Sequence, residues 1–169
     1  MEEEINVTEL RAKDLRREKK LFVQFKELGV KASISENTVT LEADSAFNLL
    51  LVKNAVTAFN RGFDTKTSAL LLDDAYDLVV MNIKDYANTP KRQIQLKGRV
   101  IGSRGMIKKR LSKETSTYIK VYGKTISIIG AYQNLNIAVE AVEMLLKGAK
   151  HDGVFSMINR RKLEAYGSS

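Results

Sequence analysis

Val100-Ile101-Gly102-Ser103-Arg104-Gly105-Met106-Ile107-Lys108-Lys109-Arg110-Leu111, or VIGSRGMIKKRL, sets two glycines three residues apart between two stretches with helical spacing. Gly102 and Gly105 carry no Cβ, so the backbone can turn sharply and a sugar-phosphate chain can lie against it. A helix starting after Gly105 would present unpaired N–H groups and the positive end of its dipole to a phosphate. Arg104, Lys108, Lys109 and Arg110 add charge that favours a polyanion without reading its sequence, and Ser103 can donate to a phosphate oxygen. The same two glycines also describe a plain helix-breaking turn. The surrounding sequence decides between the two.

Downstream, Thr117 to Ile128 (TYIKVYGKTISI) alternates apolar and polar residues on either side of Gly123-Lys124, which predicts a hairpin. Val30 to Leu41 (VKASISENTVTL) has the same pattern around Glu36-Asn37, at a shift of 87 residues (117 against 30). Each hairpin leads into a helical stretch, Ser45 to Asn60 and Tyr132 to Lys147, with Gly62 and Gly148 as stops. Each is also preceded by helical spacing, through Leu21, Phe25 and Leu28 in the first copy and Ile107 and Leu111 in the second.

Upstream of the glycines, Thr89-Pro90 reads as an N-cap and first helical position, opening a helix through Lys91 to Ile101. Before it, the apolar run Leu78 to Ile83 predicts a buried strand, with Ile5 to Val7 as its counterpart in the first copy. The order of each unit is therefore strand, helix, helix, strand, strand, helix, or βααββα. A short helix is expected within Asp64 to Ala75, and another over Val154 to Tyr166.

At these residues the sequence resembles the type I KH domain family, whose signature VIGSRGMIKKRL closely matches. From about Gly62 onward the resemblance narrows: LLLDDAYDLVVMNIKD (Leu70 to Asp85), LKGRVIGSRG, VYGKTISIIG, AVEMLLKGAKHDGVF and Arg160-Arg161-Lys162 are similar to the archaeal two-KH proteins related to the eukaryotic partner-of-Nob ribosome assembly factor. The expected fold is α+β: two packed type I KH units, the first degenerate, plus a C-terminal helix. The expected domains are a KH-like unit lacking GxxG over 1–63, a connecting helix over 64–76, a KH domain with its GxxG loop over 77–150, and a C-terminal helix and tail over 151–169.

The resemblance implies binding of single-stranded RNA near the 3′ end of the small-subunit ribosomal RNA, with an rRNA-processing endonuclease or a translation initiation factor alpha subunit as partner. The expected RNA-binding residues are Gly102, Ser103, Arg104 and Gly105, with Lys108 and Lys109 for charge and Val100, Ile101, Ile107, Ile119 and Val121 as an apolar platform for bases. Some of these five must also serve the core. In the first copy the shift of 87 carries the glycine loop to Leu15-Arg16-Arg17-Glu18, which holds no glycine. The close clamp cannot form there, and the helical pattern allows one unbroken run from Glu9 to Leu28.

Charge follows the same division. The chain carries +8 overall, but Met1 to Pro90 has 12 Lys+Arg against 15 Asp+Glu, whereas Lys91 to Ser169 has 16 against 5. A basic half is the footprint of a phosphate-binding module or a merely soluble basic surface. The absence of cysteine excludes disulfides, thiolate metal sites and thiol nucleophiles. The acidic start and the lack of an apolar run near ~20 residues predict a soluble, cytoplasmic protein that binds no membrane.

No enzyme, cofactor or metal is expected. His151 is the lone histidine, and Asp73, Asp74 and Asp77 read as a solvated turn in place of a magnesium site. Tyr118 and Tyr122 are packing residues or base-stacking ones. Arg11, Lys13, Arg16, Arg17, Lys19 and Lys20 form a basic cluster that is either a solvated face or an auxiliary phosphate or protein contact. Two rival functions remain: an adaptor that mainly holds a protein partner, and a general single-stranded nucleic-acid-binding regulator.

Overall fold

The structure, a computed structural model, describes residues 1–167; Ser168 and Ser169, the end of the expected tail, lie outside the described residues. The chain divides into two compact units, Met1–Tyr76 and Asp77 onward.

The first unit runs β1 (Glu2–Asn6), α1 (Glu9–Leu15), α2 (Lys19–Glu27), β2 (Lys31–Ser35), β3 (Thr38–Glu42), α3 (Ala46–Asn60) and α4 (Thr65–Ala69). The sheet order is β1-β3-β2, with both pairs antiparallel, Ile5 opposite Val39 and Ile34 opposite Val39 from the other side. The strand expected over Ile5 to Val7 thus lies earlier. Val7 is already past its end, although its N–H still donates to Asn37 O at 2.8 Å.

Helices α1 and α2 remain separate, which overturns the unbroken helix allowed for Glu9 to Leu28. At about 100° per residue, Ala12 and Leu15 would leave one side of a continuous helix, and Leu21 and Phe25 the other. All four are buried, so a break is needed to turn both faces to one core. Glu18 (φ −83°, ψ 59°) supplies it, with tight bonds from Arg17 N to Asp14 O and from Glu18 N to Leu15 O.

The connecting segment is shorter as a helix than expected: Asp64 caps α4 by accepting from Thr67 N, and a 3-10 turn over Leu70–Leu72 follows. Both pieces pack on α3 of the first unit.

The second unit contains β4 (Tyr76–Asn82), α5 (Pro90–Ile101), α6 (Met106–Thr115), β5 (Tyr118–Tyr122), β6 (Thr125–Ala131), α7 (Tyr132–Leu146) and α8 (His151–Tyr166). Its order β4-β6-β5 repeats that of the first unit, down to the bond from Ile83 N to Lys124 O at 2.8 Å, the counterpart of Val7 to Asn37. β4 is an edge strand, which corrects its expected burial: Met81 is buried but Val80 is exposed. Thr89 Oγ1 accepts from Arg92 N with Pro90 in the first turn of α5, the cap its sequence predicts. Leu96 and Val100 of α5, Leu111 of α6, and Ile126 and Ile128 of β6 share one core with the inner face of α7 and with Val154 and Phe155 of α8.

One arginine clamp occurs in both units. Arg11 on α1 donates through Nε and Nη2 to Phe59 O, at 2.8 and 2.6 Å, and through Nη2 to Phe63 O at 2.8 Å. Arg99 on α5 donates through Nε to Leu145 O at 3.1 Å and through Nη2 to Ala149 O. Each guanidinium satisfies carbonyls at the C-terminal end of α3 or α7 and places positive charge at the negative end of the helix dipole. Arg11 therefore leaves the group of freely solvated cations in which its sequence places it.

Candidate nucleic-acid interface

Between α5 and α6 the backbone turns in four residues, Gly102 to Gly105, and three of them carry positive φ. Gly102 has φ 73° and ψ 176°, Arg104 φ 55° and ψ 26°, and Gly105 φ 71° and ψ 15°. The turn is tied internally by Gly102 N to Gly98 O at 2.8 Å and Gly105 N to Gly102 O at 3.2 Å. Arg104 is a non-glycine residue held in the left-handed region, a strained conformation of the kind that clusters at functional sites.

The two glycines do different work. A Cβ on Gly102 would stand 2.8 Å from Ile107 Cβ and 2.9 Å from Ile107 N, so this glycine lets the turn close on α6. A Cβ on Gly105 would meet nothing within 4 Å. Its surroundings are open, and it forms the N-cap of α6 with no side chain capping the helix. Ser103 and Arg104 are exposed at the tip, and Lys109 is exposed behind them with Lys108 half-buried. The loop can thus offer a phosphate an uncapped helix start, a hydroxyl and positive charge.

Arg110 is engaged elsewhere. Its guanidinium lies 3.7 Å over the Phe155 ring and its Nε bonds Glu114 at 2.8 Å, which fastens α8 to α6.

The expected apolar platform divides in two. Val100 (0% exposed) and Ile119 (6%) are core residues, since α5 turns the one and β5 the other toward the helix–sheet interior. They are not available to bases, which corrects their inclusion. Ile107 and Val121 are half-buried and packed on that same core, and Ile101 is half-buried beside the loop. β5 is the free edge of its sheet. Strand alternation sends Tyr118 and Tyr122 to the face opposite Ile119 and Val121, away from this platform.

Two features were not singled out from the sequence. Gly98 lies inside α5, exposed, with nothing within 4 Å of a Cβ placed on it. Ile94 on the same helix is 70% exposed. Ile94, Gly98 and Ile101 follow helical spacing on the face away from α7, whose side Arg99 marks. The available signal was a glycine in mid-helix, which costs about 1 kcal/mol against alanine and here has no packing purpose.

Residues set aside have local structural roles. His151 Nε2 pairs with Arg99 O at 3.1 Å, while Asp73 and Asp77 accept from Ala75 N and Leu78 N. Among the described residues, no helix is long and apolar enough to cross a membrane.

Comparison with known proteins agrees with this geometry. The family described as eukaryotic type KH domain (KH-domain type I) matches residues 77–163. A KH domain-containing protein of Methanocaldococcus jannaschii is 39% identical over 142 residues, covering 81% of this chain and 63% of that one. The pre-rRNA-processing protein PNO1 of Chaetomium thermophilum is 31% identical over 137 residues, covering 79% and 51%. The chain spans between about half and two thirds of the length of these two relatives. A protein of unknown function from Aeropyrum pernix superposes with a TM-score of 0.90 at 25% identity, over 98% of this chain and 92% of that one. A chain from the a/eIF2alpha-aDim2p-rRNA complex of Pyrococcus horikoshii superposes with a TM-score of 0.82 at 26% identity, over 97% and 95%.

Proposed function

The chain belongs to the type I KH-domain family, and from that premise we propose that it binds single-stranded RNA through its second unit, as a ribosome biogenesis factor that catalyses nothing itself. The observation that carries this reading is the Gly102–Gly105 turn, with Gly105 open at the uncapped start of α6 and Ser103 and Arg104 exposed beside it. About four nucleotides would lie along it, their phosphates on the turn and their bases against Ile101, Ile107 and Val121.

The target is the 3′ end of the small-subunit ribosomal RNA, the place of action is the cytoplasm, and the partner is an rRNA-processing endonuclease or an initiation factor alpha subunit. Support comes from the similarity to a pre-rRNA-processing protein and to a chain solved in complex with a/eIF2alpha and rRNA. The test compares three labelled strands: an RNA ending in the small-subunit 3′ sequence, a scrambled RNA of the same composition, and the DNA version of the first. Preference for the first by about tenfold or more supports the target. Equal affinity for all three would make the protein a general single-strand binder.

A further inference from the structure

We propose that the first unit docks a protein partner on the open edge of β1, taking up an extended, lysine- or arginine-rich segment of that partner as a further strand of the sheet.

β1 pairs with β3 on one side, and the antiparallel register shows which of its backbone groups that pairing leaves unused. Met1 O accepts from Ala43 N and Val7 N donates to Asn37 O, so the odd-numbered residues turn their N–H and C=O groups to β3. Glu2, Glu4 and Asn6 turn theirs outward. At one end this edge is already closed. The buried Asn60 accepts from Thr8 N at 3.2 Å and donates to Asn6 O at 3.3 Å, filling the place of a neighbouring strand. Among the described residues no side chain does the same at Glu2 and Glu4, both exposed, so their outward N–H and C=O groups are open to an added strand.

The chemistry around the open end selects the occupant. Glu2, Glu4, Glu42 and Asp44 are all exposed. A groove of about 490 Å³ at the same end of the sheet is lined by Glu2, Glu42 and Asp44, with Lys31 opposite Glu42 as its cation. On the helix side of the edge, Lys53 Nζ bonds Glu3 Oε2 at 2.9 Å, and Leu50, one turn earlier on α3, is 53% exposed. A strand laid on β1 therefore meets carboxylates on one face and an apolar side chain on the other. That suits a segment in which basic and apolar residues alternate. Four carboxylates repel RNA, and a second copy of this chain would set its own Glu2 and Glu4 against these glutamates. The edge lies across the sheet from β2 and wholly within the first unit, so docking there does not depend on RNA held by the second.

The test uses the full chain and labelled, end-capped peptides of about seven residues in which lysine and valine alternate. Two further versions are N-methylated on the backbone, one at the lysines and one at the valines. Only one set of N–H groups can face β1, so one methylated version is expected to bind about tenfold or more weakly than the other. Bound peptide should slow hydrogen exchange at the Glu4 amide, and Glu2→Lys with Glu4→Lys should weaken the peptide about tenfold while leaving the affinity for a short RNA unchanged. Glu4→Pro removes an outward N–H without touching the ladder to β3, and should weaken the peptide more than Glu4→Gln does. Equal binding of the two methylated versions, or unchanged exchange at Glu4, would overturn the proposal. So would displacement of the peptide by RNA, or equal affinity for a peptide with glutamate in place of lysine.

Discussion

Gly102 and Ile107 approach so closely that a Cβ on the glycine would lie 2.9 Å from the isoleucine's backbone nitrogen, whereas Gly105, three residues along, faces open space. One signature motif therefore contains a glycine required by the packing of the turn on α6 and a glycine whose surroundings the fold leaves open.

Replacing each with alanine separates the two. Gly102→Ala brings both the positive-φ strain and the clash with Ile107, and is expected to destabilise the second unit by about 2–3 kcal/mol. Gly105→Ala carries the left-handed strain alone, about 1–2 kcal/mol, yet puts a methyl group where the strand would lie and weakens RNA binding about tenfold. Denaturant unfolding and RNA titration of the two variants check this pair of outcomes.

Gly98 allows a test in which stability and binding move in opposite directions. Gly98→Ala removes a mid-helix glycine at an open position and is expected to stabilise α5 by about 0.5–1 kcal/mol. If the face through Ile94 and Ile101 borders the RNA path, Gly98→Leu obstructs it and lowers affinity by about tenfold with no loss of fold. Thermal melts beside RNA titrations read both effects.

The duplicated arginine clamps predict a structural effect with little effect on RNA contact. Arg99→Lys keeps the charge but cannot fork between Leu145 O and Ala149 O, and Arg11→Lys cannot fork between Phe59 O and Phe63 O. Each is expected to cost about 2 kcal/mol, lowering the melting midpoint of its unit by roughly 10 °C. Calorimetry of the two variants should show the shift in different units.

Arg110 and Lys109 are neighbours of the same charge with different expected roles. Arg110 is held over Phe155 and by Glu114, so Arg110→Gln should change RNA affinity less than about twofold while loosening α8. Lys109→Gln removes an exposed cation beside the loop, and the salt slope of binding should fall by about one.

Much of this organisation was legible in the sequence. The shift of 87 that aligns VKASISENTVTL with TYIKVYGKTISI found both hairpins, and Thr89-Pro90 marked the start of α5 because capping chemistry is local. The break at Arg16 to Glu18 was harder to see. No glycine or proline marks it, and it exists because Leu15 and Leu21 must reach one core, a tertiary demand that local propensity does not encode. Arg11 looked like one more surface cation because its acceptors, Phe59 O and Phe63 O, are distant in sequence. Val100 and Ile119 looked equivalent to Ile107 and Val121 as platform residues, since an apolar side chain beside a loop does not declare which way it faces until the helices are packed.

The most direct test of the central claim is the affinity of single-stranded RNA for the wild type and for Ser103→Asp with Arg104→Asp, at two salt concentrations, using a strand of about four nucleotides that only the clamp would hold. Aspartate tolerates the left-handed backbone at position 104, so the variant should melt like the wild type. Salt-sensitive wild-type binding and a loss of about 100-fold in the folded variant are expected, from two repelling charges and the loss of a charged donor. Undiminished binding by a folded variant would contradict it and remove the Gly102–Gly105 turn from RNA recognition.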